Sequence, residues 1–206
     1  AVLFPNKKDQ GTLFLDLGAN SDSKPEFLNQ FATMGSKYME IFSGKKNPKV
    51  ALLNIGEEET KGNELTRETH NLLKQNKDIN FHGNIESTKI MDGEVDVVVT
   101  DGYTGNVLLK TSEGIGKFIF HIVKESIMES WISKVGALLM KGAMKKVKKK
   151  IDASEYGGAI FLGLSELSLK AHGNSDSRAI KNALKVASKF IELNFIEELR
   201  KTMEVE

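Results

Sequence analysis

Cysteine is absent from the 206 residues. That excludes disulfide scaffolds, thiol nucleophiles, thiolate zinc sites and iron–sulfur clusters together, and it suits a reducing compartment. Long uncharged apolar runs are missing as well. The most apolar stretch, Ile115 to Met144, is interrupted by Lys117, Lys124, Glu125, Glu129, Lys134 and Lys141, so no bilayer-spanning helix is expected. The named nucleotide signatures are missing too: no GxGxxG follows a strand and no GxxxxGK[ST] occurs. No GxSxG elbow marks a serine hydrolase, and the four histidines show no HExxH spacing, so no metal site is expected. Proline, at 3 residues, is scarce, whereas glycine, at 18, is plentiful. The opening AVLFPNKKDQG lacks an initiator methionine and reads as the end of an element followed by a loop, which gives the expectation of a fragment or processed product.

What is present describes a soluble globular chain, with 40% hydrophobic and 28% charged residues. This length suits a single sizeable domain, read here as one unit over 1–206. The net charge of +1 conceals an asymmetry: Lys141, Lys145, Lys146, Lys148, Lys149 and Lys150 carry +6, leaving −5 on the rest. No aromatic residue lies within 141–150, so nucleic acid is not expected as a partner.

Short apolar runs alternate with helical periods along the chain. Strands are expected at 12–18 (TLFLDLG), 49–56 (KVALLNIG), 79–85 (INFHGNI) and 95–102 (VDVVVTDG). A capping box of Ser23 and Glu26 precedes Phe27, Phe31, Met34, Tyr38 and Ile41 at helical spacing. A second helix is expected over 63–75 with Leu65, Leu72 and Leu73 inward. A long helical stretch follows over 104–151, then one or two strands within 159–173 and a last helix from Asp176 towards Arg200. Strand–helix alternation predicts a three-layer α/β/α fold with a largely parallel sheet.

The glycines gather just past the predicted strand ends, in DLGAN (16–20), NIGEEETKGN (54–63), TDGYTGN (100–106) and AHGNSD (171–176). Glycine lets backbone approach a ligand closely, and a following helix offers unpaired N–H groups that favour anions. In open α/β sheets such turns line one crevice at the carboxyl edge, although any single turn of this kind also serves simply to reverse the chain. His172 sits inside one of these turns and is a candidate for a catalytic or ligand role. His121, between Phe120 and Ile122, reads as packed or at a rim, and His70 as lying on a solvated helix face.

TDGYTGNVLLKTSEG (100–114), together with LDLGANSDSKPE (15–26), FATMGSKY (31–38), NPKVALLNIGEEETKGNELT (47–66), FHGNIE (81–86), YGGAIFLGL (156–164) and KAHGNSDSRAI (170–180), resembles the bacterial phosphate acyltransferase (PlsX) family. The motifs occur in family order over nearly the whole chain. The resemblance implies conversion of acyl-acyl carrier protein and inorganic phosphate to acyl phosphate, at the entry to phospholipid synthesis. It also implies a fold like those of phosphotransacetylases and isopropylmalate dehydrogenase, a homodimer, no cofactor, and a cytoplasmic enzyme touching the inner membrane face peripherally. Roughly the first third of a family member, with a glycine-rich motif near its start, has no counterpart here.

Phosphate is already an anionic nucleophile and a thiolate is a good leaving group, so this chemistry calls for positioning, charge neutralisation and oxyanion stabilisation. Lys61, beside Gly62 and Asn63, is the first candidate for gathering phosphate charge, and Asn106 and His172 complete the candidate catalytic set. Asn20, Asn63, Thr104 and Asn106 are candidate donors to phosphate or oxyanion, with the backbone N–H groups of Gly102 and Gly105. Gly18, Asn54 and Gly56 belong to the same turns, and Asp16 and Asp101 are expected to orient neighbours, since a free carboxylate repels phosphate. Lys24, Lys110 and the Glu57–Glu59 run read as solvated. Two other functions stay open: a phosphotransacylase acting on coenzyme A thioesters, and a non-catalytic membrane-binding fragment. Phe120, Val123, Ile127, Trp131, Val135 and Leu138 form an apolar stripe expected at a dimer interface. Lys141, Lys145, Lys146, Lys148 and Lys149 are expected to contact an anionic membrane or the acidic carrier protein.

Overall fold

The computed structural model describes residues 1–151, 158–171 and 175–203, and the side chains of all of these except 148–151. Strands β1 (Val2–Phe4) and β2 (Thr12–Leu15) are followed by helix α1 (Pro25–Ser43), β3 (Lys49–Asn54), α2 (Glu64–Gln75), β4 (Asn80–Glu86) and β5 (Val97–Val99). These strands form one sheet in the order β1-β2-β5-β3-β4, antiparallel only at the β1 edge. The central strands read as unbroken apolar runs because both faces are covered. Leu13, Leu15, Val50, Leu52, Val97 and Val99 face α1, whereas Phe14, Ala51, Leu53 and Val98 pack on the opposite side with Ile85, Ile90 and Val95. That second face is closed by the first turns of α3 (Gly102–Met128), through Leu108 and Leu109, which completes a three-layer α/β arrangement.

Several boundaries differ from expectation. Helix α1 begins one residue later than a capping box starting at Ser23 would place it. Lys24 is its N-cap without a side-chain hydrogen bond, Pro25 fills the first turn, and the Ser23 hydroxyl is buried with no partner among the described residues. Proline at this position needs no N–H partner and presets the helical φ, so it starts the helix without the box. Gly44, at φ 68°, ends α1. The expected single helix over 104–151 is three: α3, α4 (Trp131–Leu139) and α5 (Lys141–Ile151). The backbone turns extended at Ser130 and leaves helical geometry again at Met140. The last helix is likewise divided into α6 (Ser177–Glu192) and α7 (Phe195–Met203) at Asn194, whose φ is 49°. Asparagine reaches that left-handed conformation more readily than most residues.

The strands expected within 159–173 are β6 (Ala159–Phe161) and β7 (Ser168–Lys170), an antiparallel hairpin of its own. It meets the main sheet where Ile160 and Ala1 exchange backbone hydrogen bonds of 2.7 and 3.0 Å. Tyr38 and Phe42 of α1 pack with Phe190 and Phe195 of α6 and α7 at ring separations of 4.7–5.5 Å for the closer pairs. Burial there pushes the Tyr38 phenol well above its usual range, so it stays neutral.

Candidate active site at the carboxyl edge of the sheet

Strands β2, β5 and β3 are adjacent and parallel, so the turns at 16–20, 100–106 and 54–63 leave the sheet along one edge. The helices that follow β2 and β3 lie on one face and α3 lies on the other, which makes β5 a switch point, where open α/β sheets form their crevice. Residues 172–174 of the fourth turn, 171–176, lie outside the described residues. His172 lies outside the described residues, as do Tyr156 and Gly157.

Asp16 organises the first turn. Its buried carboxylate accepts from the N–H groups of Gly18 and Ala19, both at 2.9 Å, and from the backbone and side-chain amides of Asn20, both at 2.8 Å. With four donors on its two oxygens, the carboxylate is fully engaged in shaping the turn. The N-terminus of α3 then seats directly on this turn. A methyl group added to Gly102 would overlap the Asn20 carbonyl oxygen, and one added to Gly105 would overlap that of Asp16. These two glycines are therefore required by close backbone approach. Gly18, at φ 112°, lies against Asn106, whose Cβ would sit 3.1 Å from an added methyl group. The junction brings together Asn20, Thr104 and Asn106, all exposed.

Asp101 caps α3 by accepting the Thr104 N–H at 2.8 Å, and the Gly105 N–H is engaged by the Asp101 carbonyl at 2.9 Å. This revises the expected donor pair. Gly105 serves by its small size, while the N–H groups left at the helix end without an intrahelical acceptor are those of Gly102 and Tyr103.

The 54–63 turn is built mostly by its own polar groups. Asn54 donates Nδ2 to the Lys61 carbonyl at 3.1 Å and accepts the Ile55 N–H at 2.8 Å, so its amide shapes the turn from a buried position. Gly62, at φ 93°, has the Asn54 Oδ1 2.5 Å from where a methyl group would lie, and an added methyl at Gly56 would meet Lys61 Cγ at 3.0 Å. Asn63 caps α2 by accepting the Thr66 N–H at 2.9 Å. Lys61 is exposed, and among the described residues its ammonium group makes no hydrogen bond or ion pair. No side-chain contact joins Lys61 to Asn20 or Asn106; the two halves of the site are related through adjacent strands.

Two of the three acidic residues in the 54–63 turn are paired with lysines. Glu57 pairs with Lys89 at 2.6 Å and Glu59 with Lys74 at 2.8 Å. The Lys74 ammonium holds the Glu59 carboxyl below its usual range, and the run is exposed as expected, with Glu57 and Glu59 in surface ion pairs. Arg67, which the sequence reading passed over, donates to the Gly62 carbonyl at 2.6 Å and adds a second cation beside Lys61. Its position four residues after the Asn63 cap was the available signal. His70 was misread as solvated. It is 3% exposed, on the inward face of α2 with Thr69 and Leu73. Its spacing of three from Leu73 places it on that face. His121, in contrast, is exposed and lies 3.4 Å from Glu125, because α3 beyond its first turns projects away from the sheet.

Residues 1–198 match the profile of the family described as "Fatty acid synthesis protein". A phosphate acyltransferase of Fusobacterium nucleatum is 94% identical over 206 residues, covering 100% of this chain and 62% of that protein. Phosphate acyltransferases of Clostridium perfringens and Staphylococcus aureus are 48% identical over 187 residues and 45% over 202, covering 91% and 98% of this chain. The chain thus spans 55–62% of the length of these relatives. Among solved structures, the EutD phosphotransacetylase of Staphylococcus aureus superposes with a TM-score of 0.45 and 19% identity over 56% of this chain and 42% of its own.

Proposed function

The chain belongs to the fatty acid synthesis protein family, and from that premise we propose that it carries the phosphate-handling site of an acyl-acyl carrier protein:phosphate acyltransferase of phospholipid synthesis. A phosphate oxygen attacks the thioester carbonyl carbon and a carbon–oxygen bond forms. The carbonyl oxygen becomes an oxyanion in the tetrahedral intermediate. The carbon–sulfur bond then breaks, acyl phosphate is released, and the carrier thiolate takes up a proton from solvent. In this reading Lys61 neutralises phosphate, with Arg67 adding charge beside it. Asn20, Thr104 and Asn106 donate to phosphate and oxyanion alongside the free N–H groups of the α3 terminus. His172 remains a proposed proton donor or loop anchor.

The observation that carries the reading is the seating of the α3 N-terminus on the Asp16-organised turn. It fixes a donor-rich junction with no reorganisation needed when negative charge develops. The test is to supply phosphate with a long-chain acyl carrier protein, and separately with the matching acyl-coenzyme A, to the full-length protein. Acyl phosphate should form with clear preference for the carrier-protein donor. Equal or better turnover of the coenzyme A thioester would favour the phosphotransacylase instead.

The same proposal includes a homodimer. Trp131 (73% exposed), Ile132, Leu138 and Leu139 stand in solvent, and no residue of α3 beyond Gly105 or of α4 is buried. Among the described residues nothing covers this apolar stripe. Sedimentation at micromolar concentration should give a dimer, and Trp131→Asp combined with Ile132→Asp should give a monomer. A wild-type monomer would count against the interface.

We further propose a cytoplasmic enzyme that touches anionic membrane through α5. Among the described residues no helix is long and apolar enough to cross a membrane. Lys141, Lys145 and Lys146 are exposed, and Lys148 and Lys149 lie in the same helix. Each lysine near such a surface contributes about 1 kcal/mol. Changing Lys145, Lys146, Lys148 and Lys149 to glutamine should abolish binding to phosphatidylserine vesicles. Retained binding would end the membrane reading, and a raised carrier-protein requirement instead would assign the patch to that acidic partner.

A further inference from the structure

The 55–62 turn is held from two neighbouring strands by two asparagines. Asn54, at the end of β3, fixes the Lys61 carbonyl. Asn84, near the end of β4 and only 6% exposed, donates Nδ2 to the Glu58 carbonyl at 2.9 Å. That same carbonyl accepts the Lys61 N–H at 3.1 Å. The Glu58 carbonyl is thus where the position of Lys61 is set, and Asn84 is its anchor outside the turn.

An amide in this role has one useful orientation. With Nδ2 turned to Glu58, Asn84 Oδ1 faces His70 Nδ1 at 2.9 Å, which requires the imidazole to carry its proton on Nδ1. The ring is buried at 3% exposure and lies edge-on to Phe81 at 5.1 Å. Its Nε2 is 3.7 Å from Glu59 Oε1, beyond hydrogen-bond reach, and that carboxylate is paired with Lys74. An aromatic ring without nitrogen would fill the same space, so the polar function of His70 is to orient the Asn84 amide.

We infer that Asn84, oriented by His70, is a positioning residue that holds the 55–62 turn in the shape presenting Lys61. This rests on the reading of Lys61 as the phosphate-binding cation. Asn84 and His70 are both buried. Both act through the Glu58 carbonyl.

The test uses Asn84→Asp, which keeps the shape but removes the donor, and His70→Phe, which keeps a ring but removes the orienting proton. His70→Gln serves as the conservative rescue. In the full-length protein, Asn84→Asp should raise the KM for inorganic phosphate about tenfold, the effect of one lost buried hydrogen bond, with the KM for the acyl donor little changed. Hydrogen exchange at the Lys61 amide should accelerate in parallel. His70→Phe should show the same pattern more weakly, and His70→Gln should restore it. If Asn84→Asp does not fold, His70→Phe and its rescue carry the test. Unchanged exchange at Lys61 in a folded variant, or equal rises in both KM values, would overturn the inference. Lys61→Ala measured alongside separates the two readings. If it leaves the phosphate KM unchanged, the role of Lys61 fails, while the exchange rates still decide whether Asn84 holds the turn.

Discussion

Gly105→Ala is expected to lower the melting temperature by about 6–12 °C and to abolish activity at every substrate concentration. The added methyl group would overlap the Asp16 carbonyl oxygen and come within 3.0 Å of Thr100 Cγ2. Overpacking of this kind costs about 1–3 kcal/mol where side chains can yield, and here one obstacle is backbone, so about 3 kcal/mol is expected. Relief requires α3 to lift from the 16–20 turn, which separates Asn106 and Thr104 from Asn20. The control is Gly114→Ala in the same helix, where nothing lies within 4 Å of the added group. That substitution should gain about 0.5–1 kcal/mol, because glycine is the poorer helix former. Thermal denaturation of the pair checks both signs. Equal stability of the two variants would mean that α3 does not seat on Asp16 as described.

Lys61→Ala should raise the phosphate requirement ten- to a hundredfold and leave the acyl-donor requirement nearly unchanged. Removing a charge-assisted contact to an anion costs about 1.5–3 kcal/mol, and about 1.4 kcal/mol corresponds to tenfold. The ammonium is exposed and makes no hydrogen bond or ion pair among the described residues, so its removal leaves the turn itself in place. The effect should therefore appear in KM for phosphate with little change in thermal stability. Initial rates over a phosphate titration, at saturating acyl donor and then the reverse, make the distinction. Equal effects on both substrates would remove Lys61 from the role.

The alternation of VDVVV, KVALLN and TLFL with helical periods was enough to predict a layered α/β fold, because strands buried on both faces must be apolar throughout. The glycine turns were legible for a related reason: where backbone meets backbone, as at Gly102 and Gly105, only glycine fits, and that requirement is written residue by residue. Tertiary contacts decided the rest. Pairing rules alone did not reveal that β6 and β7 form their own hairpin. Periodicity did not reveal the breaks at Ser130 and Asn194, since neither carries the glycine or proline that usually ends a helix. His70 looked polar and therefore solvated, yet it lies buried against Asn84, 14 residues along the chain and on another element. A side chain's polarity is local to the sequence, but whether it meets water or a partner depends on which elements the fold brings alongside it. For the same reason the sequence could name Asp16, Asn54 and Lys61 as polar groups near a turn. Only the folded arrangement shows that Asp16 and Asn54 spend their hydrogen bonds within their own turns, leaving Lys61 unpaired among the described residues at the sheet edge.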